Sequence, residues 1–554
     1  MVSSALILLT GLCAAPAQNP VAGRELYRVD FTKIVGPADD SADREKALNA
    51  KLTAMKGSVG NSADALLTAL RLRDDLAAIR DRREFLGHLH FLFDTTFPEK
   101  TPEDNPEADA QDEFVTREVA AVPAQTLAGF ISAQPDLKPF RGELADLRRT
   151  QSHRLSERDE ATLAKLRPNL FEWEGKAFEL FRSESTSPSS SQALHALTLI
   201  QLSMTLNTLA RLRGFRDGVD AYCFELHLET AKVDSLLANL HSHRDISDGL
   251  SALKAKYQRK AFNVTFGLSE ATTAVLQAVQ PLGTEYESEM AALLDPKNGR
   301  IDIAGGPHRA GLGTGWAAPG LPSILYWPEF TGAYDDLDRG LSHEGGHAVH
   351  YALMEKGNVP DAGFSGPGYL FESFAELNQL LLADSLYRSA TDPARKIFFL
   401  EKFLDKAVYP LYLAKFPDLE FSIHRAIDKG QVRTKDDFDR LEERVVSRWT
   451  PPANPLKQKL WMTNETFYTH PLYNINHMLG ALLAVAYFQR LQADPLDFAP
   501  RYVRLLRDGF HDEPQVLLSK GLGIELGDPK LVSRSLDLVK VRMRELERLY
   551  QERK

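Results

Sequence analysis

The sequence predicts a mainly α-helical protein, and three observations carry that prediction. Apolar residues recur at helical spacing along nearly the whole chain. The 554 residues, 43% hydrophobic and 26% charged, suffice for a large packed core in about three or four domain-sized units. A strand signal is carried by Ile324-Leu325-Tyr326-Trp327, at the end of a Gly- and Pro-rich segment that starts at Gly305. The formal charge is −10, with no block of like charge. Phosphate-backbone binding is therefore a poor prospect, and no nucleic-acid partner is expected.

In chain order, residues 1–17 read as a signal peptide. Ala5 to Leu12 is mostly apolar, and Ala15-Pro16-Ala17 offers small residues for cleavage before Gln18, although no Lys or Arg precedes Arg24. Export to a periplasmic or secreted location is the expectation, with the cytoplasm as the alternative. No later apolar run reaches the roughly 18 residues of a membrane span, so no membrane insertion is expected once the leader is gone. Cys223 is then the remaining cysteine, and stability has to come from packing rather than an intrachain disulfide.

Residues 18–190 read as an N-terminal helical region and 191–554 as a second, larger one. The stretch Ser183 to Ser191, with six Ser, one Thr and one Pro, reads as a loop or linker between them. In the first region Ala65, Ala69, Leu72, Leu76 and Ile79 mark a helical stripe. Arg80, Arg82 and Arg83 are interleaved with Asp81 and Glu84, the pattern of a solvated helix face. In the second, Leu199, Leu202, Leu206 and Leu209 form a stripe that Gly214 closes, and Leu536 to Tyr550 is helical again. These stripes are core and carry no chemistry. His88 with His90, and His241 with His243, stand two apart, wrong for one helix face, and read as structural.

Chemistry concentrates in Leu341-Ser-His-Glu-Gly-Gly-His-Ala-Val-His350. His343 and His347, four apart on a helix, stack their imidazoles on one face, where both can hold one zinc ion. Glu344 then lies beside the metal, placed to take a proton from a zinc-bound water as general base. Asp336 or Asp338 can cap this helix and Gly357 can stop it. Gly345 and Gly346 each cost about 1 kcal/mol inside a helix and make sense if another backbone passes close. A catalytic zinc needs a third protein ligand and an open position. In Tyr369-Leu-Phe-Glu-Ser-Phe-Ala-Glu-Leu-Asn378, Glu372 and Glu376 share one face of an apolar helix. A buried carboxylate is costly unless paired or metal-bound. Glu372 is assigned as the ligand and Glu376 as the outer acceptor orienting a ligand histidine. His350 reads as a hydrogen-bonded core histidine.

His343-Glu-Gly-Gly-His-Ala-Val-His350 resembles the HExGHxxH element of the thimet oligopeptidase and oligoendopeptidase F family of zinc metallopeptidases. The family's glutamate ligand follows the second histidine at the distance of Glu372 from His347, 372 − 347 = 25 positions. His308-Arg309-Ala-Gly-Leu-Gly and Pro322-Ser-Ile-Leu-Tyr-Trp327 are similar to the family's Arg-x-Gly turn and active-site strand. Phe467-Tyr468 and Pro471-Leu-Tyr473, ending at Gly480, resemble its aromatic element facing the zinc. The resemblance implies a two-lobed helical bowl with a deep channel and a small β-sheet beside the metal. It implies one Zn2+ per chain, a catalytic region within 191–554, and cleavage of short peptides, which are the expected partners. An oxyanion donor is needed. Tyr473 is the first choice, His470 the second, and His477 is also open. Ile324, Leu325 and Tyr326 are expected to pair with substrate backbone. Two other readings stand beside this one. One is a dipeptidyl carboxypeptidase of the angiotensin-converting-enzyme type. The other is a non-catalytic helical peptide-binding protein, which the intact Glu344 argues against.

Overall fold

The computed structural model describes residues 21–35, 41–97, 106–163, 165–166, 188–257, 262–449 and 459–553. The leader and its cleavage site lie outside them, as does the linker stretch from 183 to 187. From Pro188 that stretch is not a loop but the start of helix Pro188–Leu212. A proline at the first helical position forfeits no intrahelical bond, and its fixed φ favours the start.

Helices dominate the described residues, as the periodicity predicts. Helix α1 (Ala63–Phe93) is capped by the Ser62 side chain, which accepts the Ala65 N–H at 3.1 Å. Its stripe packs Ala69, Leu76 and Ile79 with Val115, Val119 and Leu144 of the N-terminal region. Arg80 and Arg83 both reach Glu45, at 3.3 and 2.7 Å, but the expected solvated face is not one, since Asp81 and Glu84 between and beside them line an internal cavity. Further along, Phe85, Leu89 and Leu92 join the main core, so α1 ties the two regions together.

Helix α2 (Pro188–Leu212) begins its stripe as core, with Leu199 and Leu202 against Leu419, Ile423 and Trp461. The same stripe ends differently: Leu206 and Leu209 line the central cavity. Gly214, at φ +84°, ends the helical stretch as its sequence position foretells.

The helices that carry the histidine motif and the paired glutamates follow a three-stranded sheet. Strands β1 (Ile301–Asp302), β2 (Thr314–Trp316) and β3 (Ile324–Tyr326) take the order β1-β3-β2. β3 pairs parallel with β1 and antiparallel with β2, so β3 is central and β1 and β2 are the two edges. The motif helix opens as a wide π-helical stretch, Asp336–Glu344, and tightens into helix α3, Gly345–Lys356. Such widened turns concentrate at functional sites. Neither expected aspartate caps it. Asp336 accepts from Trp327 Nε1 and from Thr331 and Ala333 N–H, fastening the loop before the helix, and Asp338 accepts from Gln379.

Helix α4 (Gly368–Ser389) crosses α3 closely at Gly346: a Cβ there would lie 2.4 Å from Asn378 Nδ2 and 3.1 Å from Ala375 Cα. Gly345 is not under that constraint, since its nearest neighbours are the side-chain ends of Leu325 and Met290 at 3.4 Å. One of the two motif glycines is thus demanded by a passing helix. Helix α5 (Lys415–Asp428) and helix α6 (Asn474–Ala493) follow, α6 packing along α4 with Gly480 against Glu372 and Ser373. No described helix is long and apolar enough to cross a membrane.

Candidate metal centre

His343 and His347 come from the motif helix and Glu372 from α4, and the ligand atoms of all three lie within 4.8 Å of one another. The i, i+4 spacing brings the two imidazoles to 4.9 Å between centroids, nearly perpendicular. Glu372 Oε2 stands 3.6 Å from His343 Nε2. All three residues are buried, yet neither Glu372 oxygen has a hydrogen-bond partner. A buried carboxylate set among the ring nitrogens of His343 and His347, with His477 Nδ1 at 3.4 Å, is an arrangement that a divalent cation completes.

The electrostatics fit the same ligand. Burial pushes both histidines down to about 4, against the pull of Glu372, so each ring is neutral and offers a lone pair at neutral pH. Burial works against the charge of Glu372 too, but His477, His343 and His347 outweigh it and hold the carboxyl at about 2. Burial, then the neighbouring Glu372, push Glu344 up to about 8. Glu344 is tethered to the sheet edge, its Oε2 accepting the Gly315 N–H at 2.9 Å. The site opens on a cavity of about 780 Å³, whose wall includes Glu344, His347, Trp316 and Tyr473.

The outer support differs from the sequence expectation. Glu376 hydrogen-bonds neither His343 nor His347; its Oε2 pairs with Lys406 Nζ at 2.9 Å, and it reaches His347 only through its charge. Gln379 takes that place: Gln379 Oε1 lies 3.1 Å from His343 Nδ1, and its Nε2 donates to Asp338 at 2.8 Å. This contact puts the proton on Nδ1 and frees Nε2 to face Glu372. Glu372, Glu376 and Gln379 share one helix face, at i, i+4 and i+7, so the residue was in view; its amide, both donor and acceptor, was the missed signal.

The other expected residues are dispersed. Tyr473 lines the cavity, and its buried hydroxyl has no hydrogen-bond partner. His470 is exposed, bonded to Thr469 Oγ1 at 3.1 Å and outside the cavity wall, because its turn points it to solvent. His477 stands behind the ligand instead, Nδ1 at 3.4 Å from Glu372 Oε2, and Glu372 raises its pKa against burial. Ile324, Leu325 and Tyr326 cannot pair with a substrate backbone. They are fully buried, β3 is flanked on both sides, and Tyr326 OH donates to Leu92 O and Ala310 O. Of the two edge strands it is β2, at Thr314 to Trp316, that lines the cavity, with Gly315 packed against Glu344. Phe467 and Tyr468 are core, Tyr468 OH donating to Trp461 O. His350 is core as well, but without the expected hydrogen bond: its Nδ1 has no partner and Phe371, Phe374 and Phe510 enclose the ring.

Known proteins share this architecture. Residues 118–180 match the family model described as Oligopeptidase F. The chain is 19% identical over 607 residues to Oligopeptidase PepF of Bacillus subtilis (strain 168), covering 96% of this chain and 88% of that one. Its fold aligns with a chain from Chlamydophila abortus assigned as a peptidase at a TM-score of 0.73 and 17% identity, over 96% of this chain and 100% of that one. It aligns with oligoendopeptidase-F from Enterococcus faecium at a TM-score of 0.61 and 14% identity, over 93% and 99%. The chain resembles the oligoendopeptidase F family in sequence and in fold. The family-model match lies in the N-terminal region, whereas the motif resemblance lies between 305 and 480, so the likeness is carried at two separate places. A peptide-hydrolysing enzyme is the activity that these likenesses support.

Proposed function

We propose that this chain is a zinc-dependent oligopeptidase that cleaves short peptides within its central cavity. The observation that carries the reading is the convergence of His343, His347 and Glu372 beside Glu344 at the cavity wall. Two neutral imidazoles and one carboxylate suit zinc, and a bound cation would supply Lewis-acid charge at the scissile carbonyl and lower the pKa of a nearby water.

The chain's own residues do the rest. Gln379 fixes the His343 tautomer so that Nε2 is the donor. Glu344 takes a proton from the attacking water and returns it to the leaving amine. The Gly315 N–H holds one oxygen of Glu344, which leaves the other for the proton. Tyr473 donates its unpartnered hydroxyl to the oxyanion that forms on the carbonyl. The edge of β2 offers main-chain groups to an extended peptide, giving affinity without strong sequence preference. The cavity, at about 780 Å³, admits a peptide segment rather than a folded domain.

Digestion of a mixed peptide library, with and without chelator, followed by mass spectrometry tests this. Internal cleavage abolished by the chelator and restored by zinc is the expected result. Strict release of C-terminal dipeptides would favour the exopeptidase reading, and stoichiometric zinc without any hydrolysis would favour a binding protein.

A further inference from the structure

The turn that presents Tyr473 is held in an unfavourable conformation. Leu472 is buried at φ +69°, a region that a branched, non-glycine residue rarely occupies. Such outliers persist only where the surroundings over-determine them. What over-determines this one is Glu420 on α5. Glu420 Oε1 accepts the Leu472 N–H at 2.5 Å, and Oε2 accepts from Asn474 Nδ2 at 3.0 Å. The two bonds grip the residues on either side of Tyr473. Asn474 Oδ1 in turn accepts from Asn464 Nδ2 at 3.3 Å, so the grip is anchored from the other side as well.

Glu420 is 1% exposed and has no ion pair to a cationic side chain among the described residues. Burial pushes its carboxyl up to about 8, against the pull of the Leu472 N–H and the Asn474 amide, and both of its oxygens are directed to one turn. Strain and desolvation are thus both borne at the point from which Tyr473 OH enters the cavity. That hydroxyl is itself buried and unpartnered, with the Gly368 backbone beside it: a Cβ on Gly368 would lie 2.7 Å away.

We propose that Glu420 is a positioning residue for catalysis: by holding Leu472 in its left-handed turn it aims the Tyr473 hydroxyl at the reaction centre. The inference rests on Tyr473 acting as the oxyanion donor. It makes Glu420 act only through Tyr473, and that distinguishes it from a carboxylate that merely stabilises α5 against α6.

The test is a double-mutant cycle on the zinc-loaded enzyme, reading kcat and KM with one peptide, together with zinc content and melting temperature. Tyr473→Phe is expected to lower kcat about a hundredfold, the scale of one lost oxyanion donor. Glu420→Gln keeps one acceptor but sets an amide NH2 against Asn474 Nδ2. It is expected to lower kcat about tenfold or more, with KM and zinc content little changed, and to cost nothing further in the Tyr473→Phe background. Leu472→Gly adopts the turn without strain and is expected to restore several-fold of the kcat lost in Glu420→Gln. Asn474→Ala removes one arm of the grip and, if Glu420→Gln fails to fold, carries the same cycle. An equal loss from Glu420→Gln with or without the Tyr473 hydroxyl overturns the proposal, as does an unchanged kcat in Glu420→Gln. Full activity in Tyr473→Phe instead removes the donor reading on which it rests.

Discussion

Gly480→Ala is the sharpest test of how the metal centre is held. Gly480 lies on α6 directly against the ligand on α4: a Cβ there would sit 2.5 Å from Glu372 Cβ, 3.2 Å from Glu372 C and 3.2 Å from Ser373 N. Carbon atoms pack at roughly 3.5–4 Å, so the two helices have to part by about 1 Å. Overpacking of this kind costs about 1–3 kcal/mol, against about 1 kcal/mol gained from alanine's helix propensity. The larger effect is on the site. Ligand distances tolerate only about 0.2 Å, and a glutamate carried about 1 Å from two fixed imidazoles weakens the set, so cation affinity is expected to fall roughly 10–100-fold. That is a loss of about 1.4–2.7 kcal/mol in the stabilisation conferred by a fixed zinc excess. Competition with a chromophoric chelator measures the affinity, and thermal unfolding with and without zinc measures the linkage. Gly345→Ala is the control, because only flexible side-chain ends, at 3.4 Å, meet its Cβ. It is expected to keep wild-type affinity and to unfold at the same temperature or slightly higher. Wild-type zinc affinity in Gly480→Ala, or an equal loss in the control, would refute the view that this helix contact sets the position of Glu372.

Three further outcomes follow from the same geometry. Glu344→Gln should lower kcat by about 10²–10⁴ while zinc content, measured by elemental analysis, stays at one per chain, since Glu344 moves the proton and is not a ligand. Gln379→Leu should lower zinc affinity by roughly 10–100-fold in the same chelator competition, because His343 Nδ1 loses its acceptor; an unchanged affinity would place the support of His343 elsewhere. Asp74 governs a pH effect. Burial, with Glu143 and Asp75 nearby, raises it from 3.8 to about 6, although it accepts the Ala362 N–H at 3.0 Å. The folded state therefore holds a proton that the unfolded state has lost, so stability falls as pH rises from about 4 to about 6 and the penalty is complete above that. Asp74→Asn keeps the acceptor for Ala362 and should raise the melting temperature by about a degree or two at pH 8, a size discounted for partial exposure, with no gain at pH 3.5. A gain of equal size at both pH values would show that the charge of Asp74 is not its cause.

The sequence by itself determined what depends on short spacing. A period of three to four residues foretold the helices, and the interval between His343 and His347 put their rings on one face, because a helix repeats every 3.6 residues whatever surrounds it. The burial of α4 was legible in its run of apolar neighbours, and Gly346 announced a close crossing before the crossing helix was known. Tertiary structure alone decided which members of a face meet the site. Glu376 and Gln379 are both within two turns of Glu372, and the rotation of α4 against α3 gave His343 to Gln379 and Glu376 to Lys406. Strand order was decided the same way: Ile324 to Tyr326 carry the strand signal, but pairing with Ile301 and with Thr314 placed them in the middle and left the edges to β1 and β2, of which β2 lines the cavity. The pairing of Glu420 with Leu472 belongs here too. Helix rotation, strand order and buried polar contacts are fixed by side chains far apart in the chain, whose packing no local spacing encodes.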